Sequence, residues 1–113
     1  MSAELLQAVI GKVVGYLVRG EYELLIEKYP ASRVSSAELR SAIHDYGRRL
    51  VPPPPNAYER PDAVRVKNTH VPTWSVRAPL WTAEEGRSDL TLEMTVTLGP
   101  GSSSVEIDDL RVP

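Results

Sequence analysis

The sequence predicts an α+β fold in which N-terminal helices pack on a three- to four-stranded antiparallel sheet. In the first half of the chain, apolar residues recur at the spacing of an amphipathic helix. In the second half they alternate with polar residues, which is the period of a strand with one buried face. The 113 residues fit one domain with one core. We therefore expect a single domain over 1–113, with a helical part at 2–50, a proline-rich connector at 51–61 and a sheet at 62–113.

Three helices are predicted in the helical part. A long apolar stripe predicts a helix over 3–18, and a shorter stripe predicts a second helix that Pro30 ends. Ser35 and Glu38 match a capping box, in which each side chain binds the other residue's backbone N–H. The third helix should therefore start at Ser35. The first stripe consists of Leu5, Leu6, Val9, Ile10, Val13, Val14 and Leu17.

The connector contains four consecutive prolines, Pro52 to Pro55. Such a run adopts the stiff polyproline II conformation. It could be a ligand for an aromatic-lined groove on another protein, or a rigid link between helix and sheet. We favour the rigid link, because little else around the run marks a docking motif.

Four strands are predicted from residue 62 onward. Val64 and Val66 alternate with charged residues in a short first strand, and Val105 and Ile107 begin the last one. The loop at 82–88 should contain a positive φ at Gly86, and Pro100-Gly101 indicates a type II turn. The inward-facing residues of the two central strands are Trp74, Val76, Ala78 and Leu80, then Leu90, Leu92, Met94, Val96 and Leu98.

Core residues should face core residues, which restricts the strand registers. The resulting pairs are Val96 with Val105, Met94 with Ile107, Glu93 with Asp108, Leu80 with Leu90, Val76 with Met94, Arg77 with Glu93, and Trp81 with Asp89. Arg77, Glu93 and Asp108 then form a row across three strands. Two opposed carboxylates repel each other, so we expect Arg77 to neutralise them in a structural ion-pair network. A catalytic carboxylate pair is the alternative.

The last strand loses its alternation after Ile107, because Leu110 rather than Asp109 suits an inward position. A β-bulge at Asp108-Asp109 would turn both carboxylates outward. The outward Trp81 has two interpretations, either packing against the chain's own proline segment or serving as an interface anchor.

Composition argues against several classes of function. The net charge of −2 does not favour nucleic acid or an anionic membrane. No cysteine is present and Glu4 stands where a secretory signal would be basic, which favours a cytoplasmic location. His44 and His70 are too far apart for metal-ligand spacing, and the C-terminal acidic residues lack a calcium-loop pattern. We expect neither a metal nor a cofactor.

Three segments resemble a family of small bacterial proteins known as a domain of unknown function. They are Trp74–Val76, the run LWTAEEGRSDLTLE at Leu80–Glu93, and VEIDDLRV at Val105–Val112. The resemblance extends over most of the chain, and it implies no catalytic residues. The layout is also similar to that of cystatin-like and NTF2-like domains, whose curved sheet wraps a helix, but a shared fold does not transfer a function.

These observations favour a non-enzymatic binding or accessory protein of immunity type over an enzyme. The acidic C-terminal third suits a basic protein partner. The competing hypothesis is a small NTF2-like enzyme or small-molecule binder with a pocket between helix and sheet, and homo-oligomerisation stays open. The residues expected to bind the partner lie at one end of the sheet: Trp81, Glu84, Glu85, Asp89, Asp108 and Asp109.

Overall fold

The computed structural model describes residues 2–113 and contains three helices followed by four strands. The sheet is antiparallel throughout, with strand order β1-β2-β3-β4. The predicted α+β class is therefore confirmed. The elements are α1 (Ser2–Val18), α2 (Tyr22–Lys28), α3 (Ser36–Tyr46), β1 (Asp62–Arg65), β2 (Thr73–Thr82), β3 (Gly86–Gly99) and β4 (Ser102–Arg111).

One apolar core joins α1 to the inner face of the sheet. The helical stripe that includes Ile10 and Val13 is buried, and it belongs to the same cluster as Met94 on β3 and Ile107 on β4. Leu5 departs from the prediction, because it lies outside this cluster and is 54% exposed. The removal of these apolar side chains from water is the main force that holds α1 on the sheet.

The capping box predicted for α3 is confirmed. The backbone N–H of Glu38 donates to Ser35 Oγ at 3.1 Å, and the N–H of Ser35 donates to Glu38 Oε1 at 2.9 Å. α3 thus begins directly after Ser35. It ends at Tyr46, four residues before the expected end of the helical part. The following residues instead run beside β2, where Leu50 forms a bridge with Thr82.

The connector and β1 together cover the outer edge of β2. Val51 donates its N–H to the carbonyl of Trp81 at 3.0 Å, and β1 pairs with the other end of β2. Between these two segments the Tyr58 hydroxyl donates to the carbonyl of Pro79 at 2.7 Å. A strand residue directs its N–H and C=O to the same side, so residue 79 directs both groups toward the outer edge of β2. Proline fits there because no neighbouring strand needs the N–H that it lacks.

β1 is more exposed than its two valines suggested. Ala63 pairs with Val76 and is partly buried, whereas Val64 pairs with Ser75 and is 67% exposed. Val66 is also exposed and lies just beyond the strand. The valines therefore lie outside the apolar core, because their register places them on the solvent side of an edge strand.

The β2–β3 hairpin contains an irregularity that the sequence did not predict. Its turn covers only residues 83–85, because the strands extend further than the expected 82–88 loop allowed. Between the Pro79–Thr91 and Trp81–Arg87 pairs the register shifts. The predicted pairing of Trp81 with Asp89 is therefore wrong. The reason is Ser88, which is buried and donates its hydroxyl to the Leu80 carbonyl at 2.8 Å.

The β3–β4 hairpin follows the predicted register as far as Ile107. The Val96–Val105 and Met94–Ile107 pairs are both present, and Gly101 at the turn has a φ of 72°. The next pair joins Glu93 to Asp109, so the predicted pairing of Glu93 with Asp108 is wrong. Asp108 is the extra residue of a bulge, which lets Leu110 return to the core as expected.

Candidate protein-interaction site

The six residues expected to form one surface lie in two regions of the sheet. Glu84 and Glu85 are in the β2–β3 turn, whereas Asp108 and Asp109 lie on β4. Asp109 pairs with Glu93, and that residue is eight positions along the chain from Glu85. At the rise of a strand this separation is roughly 25 Å. The structure therefore does not bring the six side chains together on one surface.

Trp81 packs against the connector of its own chain. Its ring meets that of Tyr58 edge to face, with centroids 6.0 Å apart and an interplanar angle of 88°. Trp81 is half-buried and also joins the periphery of the core. Of the two interpretations of this residue, the geometry matches packing against the proline-rich segment.

The two glutamates of the turn bind groups of the same chain. The Glu85 carboxylate accepts bonds from the Tyr46 hydroxyl at 2.8 and 3.0 Å and from the Thr82 hydroxyl at 3.1 Å. Glu84 accepts the backbone N–H of Arg49 at 3.1 Å. Burial and the bond to Glu85 raise the pKa of Tyr46 above its usual range. These contacts fix the hairpin tip to the end of α3, a role that no local sequence signal indicates.

A row of charged residues crosses the solvent-facing side of all four strands. The register aligns Asp62, Arg77, Glu93 and Asp109. The predicted facing of Arg77 and Glu93 is confirmed, and their nearest charged atoms are 3.7 Å apart. Asp109 takes the place that was expected for Asp108. We call these four residues, together with Arg111, the charged row.

Arg111 lies between the carboxylates of Glu93 and Asp109 and links them. Its guanidinium lies 3.4 Å from the Glu93 carboxylate and 3.5 Å from that of Asp109. Sequence reasoning missed this arginine, although its position two residues after Asp109 on the same strand would have indicated a shared face. It reduces the repulsion between the two facing carboxylates, the task that had been assigned to Arg77 alone.

Asp108 occupies the bulge and binds outside the charged row. Its carboxylate accepts the Thr95 hydroxyl at 2.7 Å and lies 3.7 Å from Arg33 Nε. Arg33 comes from the segment between α2 and α3, so its approach to β4 depends on tertiary packing. The bulge therefore directs two successive carboxylates, those of Asp108 and Asp109, to different partners.

Asp89 lies beside a cleft at the Asp62–Arg77 end of the charged row. The cleft has a volume of about 510 Å³ and is also lined by Arg87 and Thr91. Its walls present two arginines and two aspartates, which suits polar groups of either sign. Of the six expected residues, Asp89 thus adjoins the same face as Asp109, whereas the turn glutamates do not.

Residues 2–113 contain no group of three His, Cys, Asp or Glu side chains arranged to hold a metal ion. Both histidines are exposed, His44 on α3 and His70 in the loop after β1. Of the carboxylates in the charged row, those of Glu93 and Asp109 lie near arginines, whereas Asp62 forms no ion pair within the described residues. This part of the sheet face is open, and its Asp62–Arg77 end borders the cleft that Asp89 lines.

Comparisons with known proteins give a family but no function. No curated protein and no solved structure matches this chain. In the part of the chain that the structure describes, no helix is long and apolar enough to cross a membrane. The sequence model of one family, described as Domain of unknown function (DUF7668), matches residues 14–113. Because that match extends over most of the chain, the protein belongs to the DUF7668 family.

Proposed function

We propose that this protein is a non-enzymatic accessory protein of immunity type, which binds a basic protein partner through the outer face of its sheet. The observation that carries the proposal is the gathering of carboxylates on β3 and β4. Glu93, Asp108 and Asp109 are all partly exposed there, and Glu106 faces Thr95 on the same side. This surface replaces the wider set of six residues that the sequence suggested.

The arginines nearest these carboxylates are held loosely enough to be displaced. Arg77, Arg111 and Arg33 approach at 3.4 to 3.7 Å, and each of their side chains is about half exposed or more. Exposed ion pairs at such distances contribute only about 0–1 kcal/mol. Lysines and arginines of a partner would therefore exchange with them at little cost, and their positive charge would speed the encounter.

Two finer features belong to the same proposal. We place the protein in the bacterial cytoplasm, which the cysteine-free composition and the family resemblance favour. The cystatin-like or NTF2-like layout is retained as a working description of a sheet that packs a helix on one face. For the alternative, a small-molecule pocket between helix and sheet, fully buried apolar residues such as Ile10 and Ile107 fill the interior, so a ligand would have to bind in the surface cleft between α1 and β4.

The test is a charge reversal on the proposed surface. A tagged protein would be used to capture partners from its native host, and each captured protein would be purified and its Kd measured directly. We expect Asp109→Lys and Asp108→Lys to weaken binding at least tenfold at low salt, because they bring like charges together. Binding of the parent should also weaken as salt rises.

Glu27→Lys is the matched control, since Glu27 is an exposed acid on α2. It makes the same change of charge away from the sheet and should leave the Kd unchanged. If both aspartate variants fold and bind every partner as the parent does, the outer face is not the binding site. Trp81→Ala should reduce stability, because it removes the ring that packs on Tyr58.

A further inference from the structure

β4 is the last strand of the sheet, and only part of its outer edge is covered. At Ile107 the N–H donates to Ser32 Oγ at 2.9 Å, and the carbonyl accepts the N–H of Arg33 at 2.9 Å. Ile107 therefore directs both backbone groups away from β3. Proteins usually protect such edges, because unpaired backbone groups attract additional strands.

The edge is open between this cover and the Pro100-Gly101 turn. Backbone direction alternates along an antiparallel strand, so Ser103 and Val105 face the same way as Ile107. Within residues 2–113, no group outside the sheet ladder forms a hydrogen bond with the backbone of either residue. Val105 is only 3% exposed, and it lines the cleft beside this edge, so its backbone groups are reached from that cleft rather than from bulk water. Backbone groups in such surroundings nearly always have a partner.

A cleft of about 510 Å³ runs along this open edge. Gly101 to Val105 form one wall, while Lys12 of α1 and Lys28 and Tyr29 at the end of α2 line the other. Its volume lies within the range of about 300–1,000 Å³ that is typical of binding pockets. A second cleft of about 350 Å³, which shares Lys12 and Tyr29, continues toward Leu5 and Leu98.

The charge of this cleft is opposite to that of the outer face. Lys12 and Lys28 line it, and neither forms an ion pair with any residue of the described chain. The Lys28 ammonium lies 5.8 Å from the centroid of the Tyr29 ring, which holds it beside the edge. No carboxylate is among the residues that line the cleft.

We propose that the open edge of β4 binds an extended acidic peptide, which adds to the sheet as a short antiparallel or parallel strand. The N–H and C=O groups of Ser103 and Val105 would bond to the peptide backbone. Side chains alternate along an added strand, so every second one would face the helices. Acidic residues at those positions would meet Lys12 and Lys28.

This proposal is independent of the function proposed for the outer face. The two surfaces have opposite charge, and the edge is read through backbone bonds rather than through the charged row. A second copy of the chain is the main competing occupant. It is less suited to the cleft, because the acidic residues of its own β4 are Glu106, Asp108 and Asp109, which lie next to Ile107. The edge groups of Ile107 are already bonded to Ser32 and Arg33, so this acidic part of β4 is not free to add to another sheet.

The probe is a fluorescein-labelled octapeptide of alternating threonine and glutamate, with both ends blocked. Its affinity for the full chain would be measured by fluorescence anisotropy at low salt. We expect a Kd below about 1 mM for this peptide, and no binding of the matched peptide in which lysine replaces glutamate. Amide hydrogen exchange should slow at Ser103 and Val105 when the acidic peptide binds.

Three variants separate strand addition from simple charge attraction. Ser103→Pro removes an edge N–H that the fold does not use, and it should abolish binding while the protein stays folded. Lys12→Glu combined with Lys28→Glu should weaken binding at least tenfold. Lys67→Glu, which changes an exposed lysine in the loop after β1, should have no effect.

Several results would overturn the proposal. They are equal affinity for the lysine peptide, unchanged affinity in both Ser103→Pro and the double lysine variant, or unchanged exchange at Ser103 and Val105. A concentration-dependent dimer that Ser103→Pro dissociates would assign the edge to a second copy instead. Asp109→Lys should not weaken binding of the acidic peptide, so failure here is distinguishable from failure of the outer-face proposal.

Discussion

Tyr58 is the side chain that completes the edge of β2 where neither β1 nor residues 50–51 reach. Its hydroxyl donates to the Pro79 carbonyl, and its ring packs on Trp81. We expect Tyr58→Phe to keep the ring contact and to reduce the free energy of unfolding by about 1–2 kcal/mol, because a carbonyl is left without its donor. Urea denaturation would measure the change.

Tyr16→Phe is the control for this prediction. The Tyr16 ring lies beside Arg19, and its hydroxyl forms no hydrogen bond within the described residues. Its free energy of unfolding should change by less than about 0.5 kcal/mol. An equal loss in both variants would show that the Pro79 bond contributes nothing specific.

Tyr58→Phe should also change how the stability of the protein depends on alkaline pH. Burial raises the pKa of the Tyr58 hydroxyl in the folded protein, whereas in the unfolded chain it stays at about 10. The contribution is therefore complete below about pH 10 and is lost as pH rises toward the folded value. The parent should lose stability more steeply than Tyr58→Phe above about pH 10. Parallel curves for the two proteins would contradict this.

Ser35 provides a second test at a single side chain. Its hydroxyl accepts the N–H of Glu38, one of the N–H groups in the first turn of α3 that have no partner within the helix, so Ser35→Ala should reduce the free energy of unfolding by about 1 kcal/mol. Ser41→Ala is the control, because Ser41 is exposed inside the same helix and alanine is the better helix former there. Thermal melts that move equally for both variants would argue against the cap.

At the scale of elements, features that depend on local sequence were predictable, and those that depend on distant packing were not. The start of α3 and the Met94–Ile107 register follow from capping chemistry and from alternation, which are readable in short segments. The shift in the β2–β3 hairpin depends on Ser88, a polar residue that becomes buried through its bond to Leu80. A buried serine has no sequence signature.

The candidate site also combines features that local sequence predicts with features that depend on distant packing. Alternation was enough to place Arg77 opposite Glu93 and to indicate a bulge near Asp108. It could not determine which aspartate the bulge leaves unpaired, because either choice returns Leu110 to the core. The approach of Arg33 to β4 was also not predictable, since it arises from a loop that is distant in sequence.

The bulge on β4 leads to a prediction about deletions. Deleting Asp108 removes the extra residue, so the pairs on both sides of it can persist in an ordinary ladder. We expect this variant to fold, with a loss of about 1–2 kcal/mol from the missing contacts of Asp108 with Thr95 and Arg33. Circular dichroism and urea denaturation would establish both points.

Deletion of Glu106 is the matched control, because it removes a residue of the same charge from the regular part of β4. It would shift the phase of Ile107 relative to Val105 and direct a core side chain outward. This variant should be largely unfolded. If the two deletions are equally harmful, the extra residue is required for the fold and the bulge is not a local adjustment.

The distribution of charge at the scale of the whole molecule explains why two separate binding proposals arise from one small domain. Carboxylates collect on the outer face of β3 and β4, while Lys12 and Lys28 line the open edge of β4. The formal net charge of the whole chain is only −2, so this value conceals both patches. If the proposals hold, local fields rather than the net charge would select the partners.

The single core that joins the helices to the sheet should make the molecule unfold as one unit. Ile10 on α1 is fully buried in the same cluster as Met94 and Ile107. Ile10→Ala should reduce the free energy of unfolding by about 2–5 kcal/mol, the usual range for a large core residue. Far-UV circular dichroism would follow the helices, and the fluorescence of Trp74 and Trp81 would follow the sheet. Both signals should move to the same lower urea midpoint, as two-state unfolding requires.

Leu5→Ala serves as the control on the same helix, because Leu5 is 54% exposed and contributes little to the core. Its effect should stay within about 0.5 kcal/mol. A different pattern in Ile10→Ala, in which the helical signal is lost at a lower midpoint than the fluorescence, would mean that the sheet is stable without α1. The cleft between α1 and β4 would then depend on a helix that detaches on its own. A shared midpoint instead means that the lysine of α1 and the open edge of β4 are held together up to the point of global unfolding.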